Sequence, residues 1–376
     1  MMLNLTEDQE SFRDSVRRYL DKEYDFARRC NIVADGGYSE EQWRTFANLG
    51  WIAAVFDEDT GGLGDSGVHA LILMEEFGRH LVVEPLLWTA IVCGRIISGA
   101  QVAKEQRDRL IGAIIGGQLH LALALQEADG DHDIKTFSSR AVKQGEGYLL
   151  SGRKPAVPNG AIAEKFIVAA KIDDEIGLLL VSRDRSGVEV SNYRTHDGQT
   201  AAAVSFQSTP VEKEDILARG DLAEQIIEEA IDRGIAAICA EAVGSMSHLV
   251  EATSAYLKMR EQYGQPLAKF QALQHRMADM YVDCENARSI TFAAAAALDM
   301  AAVERSRVAS AAKVQVFRAA NFVGKQAVQL HGGMGVSEEL DIAHHFKRLT
   351  MASLLFCDEG YHLRRFAQME RNGPPL

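Results

Sequence analysis

Apolar residues recur at three- and four-residue spacing through most of the first 118 positions, the pattern of helices with one buried face. The first helix is predicted to begin after Thr6, because a capping hydroxyl precedes a run of acidic and amide side chains. Its buried stripe contains Phe12, Val16 and Leu20. Further helices are predicted over 39–50, 67–80, 85–99 and 102–116. The pattern therefore predicts an amino-terminal helical domain.

The character of the chain changes near Leu119, where short apolar runs replace the helical spacing. Gly145 and Gly147 lie between two extended halves of the segment 142–154, which is a hairpin signal. Further β-type runs are predicted at 121–125, 166–170 and 176–181, with a weaker one at 203–206. These segments predict a small β domain inserted between helical domains.

Helical spacing returns at Leu222 and continues toward the carboxyl end, with predicted helices over 222–259, 268–295, 302–330, 338–351 and 358–371. Three of these helices are long and apolar on one face, as in a four-helix bundle, and such faces also suit an oligomer interface. The predicted fold is α+β. Its domains are an N-terminal helical domain (1–118), a small β domain (119–221) and a C-terminal four-helix-bundle-type domain (222–376).

Composition narrows the class of protein. The formal net charge of −13 argues against a nucleic-acid backbone as partner, because that ligand needs a basic face. The five cysteines are scattered without a CxxC pair, so we expect reduced thiols in a cytoplasmic protein. We expect no membrane span, because no apolar run reaches roughly 20 residues. The acidic, polar amino terminus is unlike a signal or transit peptide.

Two patterns suggest other chemistry but have simpler explanations. Gly62–Gly67 matches GxGxxG, yet a dinucleotide fingerprint needs a βαβ unit and the following segments stay helical. The histidines His331, His344, His345 and His362 raise the question of a metal. His344 and His345 are adjacent, and no third ligand has suitable spacing. We expect neither a Rossmann site nor a metal site.

The segment from Arg260 to Gln271 is the most informative stretch of the chain. Arg260 is predicted at a helix end, and Gly264 and Pro266 interrupt the pattern before a second helix begins. A planar guanidinium beside free backbone donors suits a phosphate or pyrophosphate, which it can bind with two hydrogen bonds. The alternative is an ordinary helix–turn–helix corner with a solvated arginine.

The same segment carries a resemblance. Arg-x-x-aromatic-Gly-x-x-apolar-x-x-Phe-Gln at 260–271, followed by Gln-His-x-Met-Ala-Asp-Met, resembles the flavin-binding segment of the acyl-CoA dehydrogenases. A second motif of that family, Gln-Leu-His-Gly-Gly-Met-Gly, stands at 329–335. The sequences of segments 239–244 and 345–350 are most similar to those of the branch of pimeloyl-CoA dehydrogenase small subunits. That branch includes members of two-subunit enzymes.

The resemblance implies the acyl-CoA dehydrogenase fold and the α,β-dehydrogenation of an acyl-CoA thioester to a 2-enoyl-CoA. The implied cofactor is FAD, and the implied electron acceptor is an electron-transfer flavoprotein. The implied assembly is a homotetramer, or a heterotetramer with a related subunit. The family pattern assigns Arg260 to the pyrophosphate, with Gln262 and Gln271 on the same subunit. It assigns Gln329, Gly332 and Gly333 to the cofactor of a neighbouring subunit. The alternative for Gly332 and Gly333 is a glycine helix cap.

The flavin-ring contacts depart from the family pattern. The family's Thr-Glu-Pro-Gly-Ala-Gly-Ser-Asp is replaced by Gln-Glu-Ala-Asp-Gly-Asp-His-Asp at 126–133, and its Trp-Ile-Thr by Ala-Val-Pro at 156–158. An aromatic wall and a threonine hydroxyl are therefore missing. Gln126 is expected to replace one of the lost hydrogen bonds.

Three carboxylates are candidates for the catalytic base. Counting back without gaps from Arg365 places Asp358 at the family's carboxy-terminal base, whereas matching the Glu-Gly pair places Glu359 there. Some relatives carry the base on the helix before the flavin segment, where this chain offers Glu241 among apolar residues. The alternatives are acids that begin a helix, for Asp358 and Glu359, and a buried ion pair, for Glu241.

The resemblance leaves more than one function open. The first is an FAD-dependent acyl-CoA dehydrogenase that delivers electrons to an electron-transfer flavoprotein. The second is a non-catalytic partner subunit that completes the flavin site of a neighbour, and the third is a flavin oxidase on the same scaffold. The intact motifs at Arg260 and Gln329 favour the first, and the altered ring contacts favour the second.

Overall fold

The computed structural model describes residues 5–64, 66–128 and 137–372. Its helices are α1 (Glu7–Glu23), α2 (Phe26–Ala34), α3 (Glu40–Asn48), α4 (Ser66–His80), α5 (Gly94–Gly99), α6 (Lys104–Ile115), α7 (Gly220–Met259), α8 (Gln271–Ala296), α9 (Ala302–His331), α10 (Asp341–Leu354) and α11 (Glu359–Asn372). A π-helical segment, Leu86–Cys93, leads directly into α5. The strands are β1 (Leu121–Ala124), β2 (Arg140–Gln144), β3 (Gly147–Pro158), β4 (Lys165–Ile172), β5 (Glu175–Ser182), β6 (Val188–Arg194), β7 (Thr200–Val211), β8 (Ile216–Arg219), β9 (Glu261–Gln262) and β10 (Gln265–Pro266). Helices, then a sheet, then helices is the predicted α+β order.

The chain forms two compact units. The first contains Met1–Asn31, Gly67–Val82 and Ile235–Leu376, and the second contains Ile32–Ser66 and Val83–Gly234. The amino-terminal helices are therefore shared between the two units, and α7 begins in one and ends in the other. The division at residues 118 and 221 stays a prediction about separate domains.

The second unit is built on an eight-stranded sheet with the order β6-β7-β3-β2-β4-β5-β8, and β1 pairs with β4. β1 and β2 both run parallel to β4, and the other pairings are antiparallel. The core of this unit consists of apolar side chains that are less than a tenth exposed, and Phe166, Val168 and Val204 are completely buried. The predicted hairpin joins β2 to β3, with Gly145 at φ +60° in the turn. The sequence pattern did not predict β6, because most of its residues are polar and exposed.

Several local predictions can be compared with these elements. Thr6 caps α1, and its hydroxyl accepts a hydrogen bond from the backbone N–H of Gln9 at 3.3 Å, while Val16 and Leu20 are buried. The segment before Gly62–Gly67 contains a 3₁₀ turn, Ala53–Val55, and the described residues that follow form α4. A βαβ unit is therefore absent from the described part of this segment.

A buried carboxylate holds the loop after β1 to the start of β2. Glu127 accepts hydrogen bonds from Lys154 Nζ at 2.7 Å and from the backbone N–H groups of Ser138 and Ser139 at 2.6 and 3.1 Å. Burial alone would raise the pKa of Glu127, but the hydrogen bonds from Lys154, Ser138 and Ser139 lower it to about 2. Lys154 also donates to Leu125 O, and its Nζ lies 4.5 Å from the centre of the Phe137 ring.

In the first unit, two glycines allow α4 and α7 to cross with their backbones in contact. A Cβ at Gly78 would lie 1.9 Å from Glu241 O, and a Cβ at Gly244 would lie 1.8 Å from Glu75 O. Neither backbone atom can move away without shifting its helix. The crossing therefore requires glycine at both positions.

Three polar pairs join α7 to α10, and we call them the polar ladder. Arg348 Nη2 donates to Glu241 Oε2 at 2.9 Å and Arg348 Nε donates to Glu241 Oε1, with both residues buried. Ser245 Oγ and His345 Nδ1 are 2.7 Å apart, and so are His248 Nε2 and Asp341 Oδ2. The spacing on α7 is four and then three residues, so the ladder lies on one face of that helix.

The helix α7 is long and apolar enough, by length and composition, to cross a membrane, and 72% of its apolar window is buried. A core helix of a soluble protein passes the same test. In this chain the buried face of α7 carries the glycine crossing and the polar ladder. These contacts are those of a core helix.

We predict that Gly244→Ala lowers the free energy of unfolding by about 1–3 kcal/mol or more, because the added methyl overlaps the backbone of α4. Gly112→Ala in α6 is the matched control, since nothing lies within 4 Å of a Cβ there. It should stabilise by about 0.5–1 kcal/mol. Chemical denaturation measures both. Equal effects of the two substitutions would contradict a backbone crossing at Gly244.

Arg348→Met is expected to destabilise by about 3–5 kcal/mol, because the carboxylate of Glu241 would remain buried without its cation. Adding Glu241→Leu to the same chain should restore much of the loss. The control is Arg318→Met, which removes an exposed pair with Glu359 and should cost about 0–1 kcal/mol. A loss from Arg348→Met no larger than that of the control would refute the ladder's importance.

Glu127 gives the fold a defined response to acid. Its folded pKa is below its unfolded pKa, so its contribution is present above about pH 4.5 and is lost as the pH falls toward 2. Glu127→Gln should therefore reduce stability at neutral pH by about 3 kcal/mol, with a difference from the parent that shrinks through that window. Glu146→Gln, at a fully exposed carboxylate, should change little. A difference that does not depend on pH would show that the lost stability is not electrostatic.

Candidate functional site

Arg260 begins a short hairpin at the end of α7. Its N–H donates to Tyr256 O at 2.9 Å, and its carbonyl oxygen accepts from Leu267 N at 2.8 Å. β9 and β10 pair across Tyr263 and Gly264, which have φ of +55° and +76°, the conformation of a tight two-residue turn. The sequence predicted a plain join between two helices here, and Pro266 instead lies in β10. A hairpin holds Arg260 more rigidly than a loop would.

The side chain of Arg260 is exposed, and within residues 5–64, 66–128 and 137–372 it has no hydrogen-bond or ion-pair partner. Gln262 Nε2 donates to Glu261 O at 2.8 Å. Gln271, the first residue of α8, is also exposed. An unpaired guanidinium flanked by amides fits a phosphate group. The residues present therefore suit the pyrophosphate side of a flavin dinucleotide.

The second motif follows the end of α9. Gly332 caps this helix with φ +59°, and its N–H donates to Gln329 O. A Cβ at Gly332 or Gly333 would meet nothing within 4 Å, whereas a Cβ at Gly335 would lie 2.4 Å from Val328 O. Gly335 is thus a packing glycine. Gly332 and Gly333 keep an open, exposed backbone surface that a ligand can approach.

The two motifs are neighbours within one chain. The ring of Tyr256, one helical turn before Arg260, stacks on the ring of His331 with centroids 4.4 Å apart. His331 is buried, and its Nδ1–H donates to Ala327 O at 2.8 Å, which fixes the ring. The resemblance assigns the Arg260 and Gln329 motifs to different subunits of one cofactor site, and that assignment stays a prediction. Within one chain the stacked rings bring the two motifs close together.

The predicted ring contacts belong to the second unit. Gln126 is half-buried and follows β1. The rest of the altered segment, Asp129–Asp133, lies outside the described residues. Ala156, Val157 and Pro158 end β3, and the side chain of Val157 is completely buried. The strand that carries an aromatic wall in the family pattern therefore contributes small side chains here.

Each candidate base has a structural role. Asp358 Oδ1 accepts from Tyr361 N at 2.8 Å and so caps α11. Glu359 Oε1 accepts from Arg318 Nε and Nη2 at 2.9 and 2.5 Å. Glu241 is paired with Arg348 in the polar ladder, which is the buried ion pair that the sequence left open as the alternative to a base. Asp358 and Glu359 are exposed, and both line a cavity of about 300 Å³.

The histidines fall into two groups. His362 is buried and its Nε2–H donates to Phe356 O at 2.7 Å, while His344 Nδ1 lies 2.7 Å from Arg29 Nη1. His345 stacks on His248 in the polar ladder, and the nitrogen and oxygen atoms of His248, Asp341 and His345 lie within 4.8 Å of one another. Sequence spacing did not reveal this cluster, because His248 lies on a different helix. The ladder accounts for its contacts, and the absence of a metal site stays a prediction.

Sequence reasoning also missed Lys313, a lysine in α9 that is only 2% exposed. Its Nζ donates to Ala352 O at 2.9 Å. Burial lowers the pKa of Lys313 to about 7. An isolated lysine between apolar residues on a predicted helix was the one available signal.

Large apolar side chains are exposed over much of the first unit. They are Met259, Tyr263, Tyr281, Val282, Met300, Val303, Met334, Val336, Leu354 and Leu363. Several belong to the two motifs or to α8, whose apolar residues lie on more than one face. Apolar side chains at these positions would lose contact with water if another subunit packed on the motifs or on α8.

Comparison with known proteins agrees with this architecture. The short-chain specific acyl-CoA dehydrogenase of Clostridium acetobutylicum is 26% identical over 352 residues, which cover 91% of this chain and 92% of that protein. A solved variant of the steroid acyl-CoA dehydrogenase Tcur3481-Tcur3483 is 28% identical with a TM-score of 0.88, and the match covers 98% of both chains. The ChsE4-ChsE5 complex from Mycobacterium tuberculosis has the same fold, with 21% identity, a TM-score of 0.90 and complete coverage of both chains.

The family models divide the chain in the same order. Those of the N-terminal, middle and C-terminal domains of acyl-CoA dehydrogenase match residues 6–118, 122–209 and 225–367. Together the three matches span nearly the whole chain. The chain belongs to the acyl-CoA dehydrogenase family.

Proposed function

We propose that this chain is one subunit of a heteromeric acyl-CoA dehydrogenase, in which it supplies the pyrophosphate side of the flavin site. Members of the family are FAD-dependent oxidoreductases. The reaction proposed for the assembly is α,β-dehydrogenation of an acyl-CoA thioester to a 2-enoyl-CoA, with electrons passed to an electron-transfer flavoprotein. The observation that carries the proposal is the exposed Arg260, whose side chain has no partner among the described residues, beside the open backbone of Gly332 and Gly333.

The proposed roles follow from side-chain chemistry. Arg260 neutralises the pyrophosphate and can bind it through two N–H groups. Gln262, Gln271 and Gln329 offer amide donors and acceptors to polar groups of the cofactor. Gly332 and Gly333 permit close backbone approach. FAD, when bound, supplies the hydride acceptor that no side chain can provide.

Two features favour a shared rather than a self-sufficient site. The aromatic and hydroxyl contacts of the family's ring-binding strand are replaced by Ala156, Val157 and Pro158. All three candidate carboxylates have structural partners, and a base needs an available lone pair. The names of the structural relatives ChsE4-ChsE5 and Tcur3481-Tcur3483 each join two proteins, and the sequence resembles pimeloyl-CoA dehydrogenase small subunits.

The assembly proposed is a tetramer of two such chains and two related subunits, with the exposed apolar residues of the first unit at its interfaces. A homotetramer is the alternative composition. The three predicted domains, 1–118, 119–221 and 222–376, and a cytoplasmic location are part of the same proposal.

The second candidate is a self-sufficient enzyme with Asp358 as base. It is favoured by the exposure of Asp358 and by its place in the wall of a cavity. Glu359 shares that wall but is paired with Arg318. Asp358 is therefore the carboxylate to test first.

We predict that Arg260→Ala weakens FAD binding to the purified assembly by about 1.5–3 kcal/mol, because a charge-assisted contact is lost. Fluorescence titration of the apoprotein with FAD measures the change. Arg109→Ala, at an exposed arginine of α6, is the control and should bind FAD like the parent. Unchanged affinity in Arg260→Ala would show that the pyrophosphate lies elsewhere.

Flavin bleaching by an acyl-CoA separates the two candidates. The chain purified alone should not bleach, and its assembly with the related subunit should bleach whether or not this chain carries Asp358→Asn. Each sample is first matched for flavin content and for oligomeric state by light scattering. Bleaching by the chain alone that is abolished in Asp358→Asn would reject the heteromeric proposal and establish the second candidate.

A further inference from the structure

A cavity of about 300 Å³ lies among α9, α10 and the start of α11. Its walls are mainly apolar, and the side chains that form them include Val314, Phe317, Phe346, Leu349 and Leu354. Leu354 is 57% exposed, so apolar surface continues from the cavity to solvent. None of the residues assigned to the flavin motifs lines this cavity, but the candidate bases Asp358 and Glu359 do.

Lys313 lies in the wall of the cavity. Its ammonium uses one donor on Ala352 O at 2.9 Å, and Nζ lies 3.7 Å from the centre of the Phe317 ring. Within the described parts of the chain, Lys313 has no acidic hydrogen-bond or ion-pair partner. An ammonium has three donors, so two remain for a ligand.

The buried position of Lys313 destabilises the charged form of its side chain. Burial lowers its pKa to about 7, and Cys239 on α7 and Cys357 before α11 oppose that shift while Arg348 on α10 adds to it. Two carboxylates also line the cavity: Glu359 is paired with Arg318, and Asp358 caps α11. An anion brought to Nζ would offset the cost of the buried cation.

We propose that this cavity binds a carboxylate carried on an apolar chain, with the carboxylate paired to Lys313 Nζ and the chain packed on the walls. The apolar walls suit an alkyl chain, and the single buried ammonium suits one carboxylate. The same chemistry is found in a free fatty acid and in the far end of a dicarboxylic acyl-CoA.

The proposal predicts a definite pH dependence. A carboxylate binds the protonated form of Lys313, so its affinity falls as the pH rises through and above the folded pKa of about 7. Carboxylates stay ionised across that range. The dependence should vanish when the ammonium is removed.

Isothermal titration calorimetry of the full chain with octanoate tests the site, with 1-octanol as the uncharged probe. Lys313→Met keeps the length of the side chain and should weaken octanoate binding about tenfold or more, with 1-octanol unchanged. Thr350→Trp, at an exposed position in the wall, should block both probes. Circular dichroism and light scattering confirm that each variant folds as the parent does.

Octanedioyl-CoA and octanoyl-CoA separate the two sources. Tighter binding of octanedioyl-CoA that depends on Lys313 identifies an acyl-CoA end, and equal binding with strong octanoate binding identifies a free acid. The proposal is overturned if octanoate fails to bind at millimolar concentrations, or if Lys313→Met binds octanoate as the parent does. The octanoate readouts require no flavin and do not depend on the proposed function, whereas the octanedioyl-CoA arm rests on it because that ligand is an acyl-CoA.

Discussion

The first unit depends on how closely α7 can lie against α4 and α10. Gly78 and Gly244 bring the backbones of α4 and α7 into contact, with no room for a methyl group at either position. Where α7 contacts α10 it carries the polar ladder, in which the pair between Glu241 and Arg348 is buried. A buried ion pair adds little net stability compared with apolar packing, but it penalises every arrangement that separates its partners. The glycines set the separation of the helices, and the ladder sets their register.

The position of the surface that carries the two flavin motifs, 260–271 and 329–335, depends on that register. α7 ends at Met259, so its position decides where the hairpin of Arg260 emerges. Stacking of Tyr256 on His331 then ties this end of α7 to the end of α9, where Gly332 turns the chain. Two motifs nearly seventy positions apart become one exposed surface with a guanidinium and open backbone. In an isolated chain this surface leaves apolar side chains in water, which is unfavourable. The same exposure leaves the surface accessible to a cofactor and to a partner.

Sequence reasoning succeeded where the signal is local. The cap at Thr6, the β2–β3 hairpin and the long carboxy-terminal helices depend on residues a few positions apart. It failed where a pairing joins distant residues: Glu241 and Arg348 are 107 positions apart, and no spacing rule connects them. The hairpin at 261–266 was missed because its two-residue strands are too short for a periodic pattern. Gly78 and Gly244 resemble ordinary helix glycines until the opposing backbone is known.

The carboxylates show why an intact binding motif and an intact catalytic site are separate questions. A base must have an oxygen that is not already committed to a strong donor, and the competition is decided by neighbours rather than by position in the chain. Glu241 accepts hydrogen bonds from Arg348, and Glu359 accepts hydrogen bonds from Arg318. Asp358 keeps an exposed carboxyl while one of its oxygens caps α11. Arg260, by contrast, has an exposed guanidinium for which the described residues provide no acid. A chain with such a cation, and with carboxylates that are paired or cap a helix, is better equipped to hold the cofactor than to remove a proton. That imbalance is the physical basis for the proposal that a second subunit supplies the base.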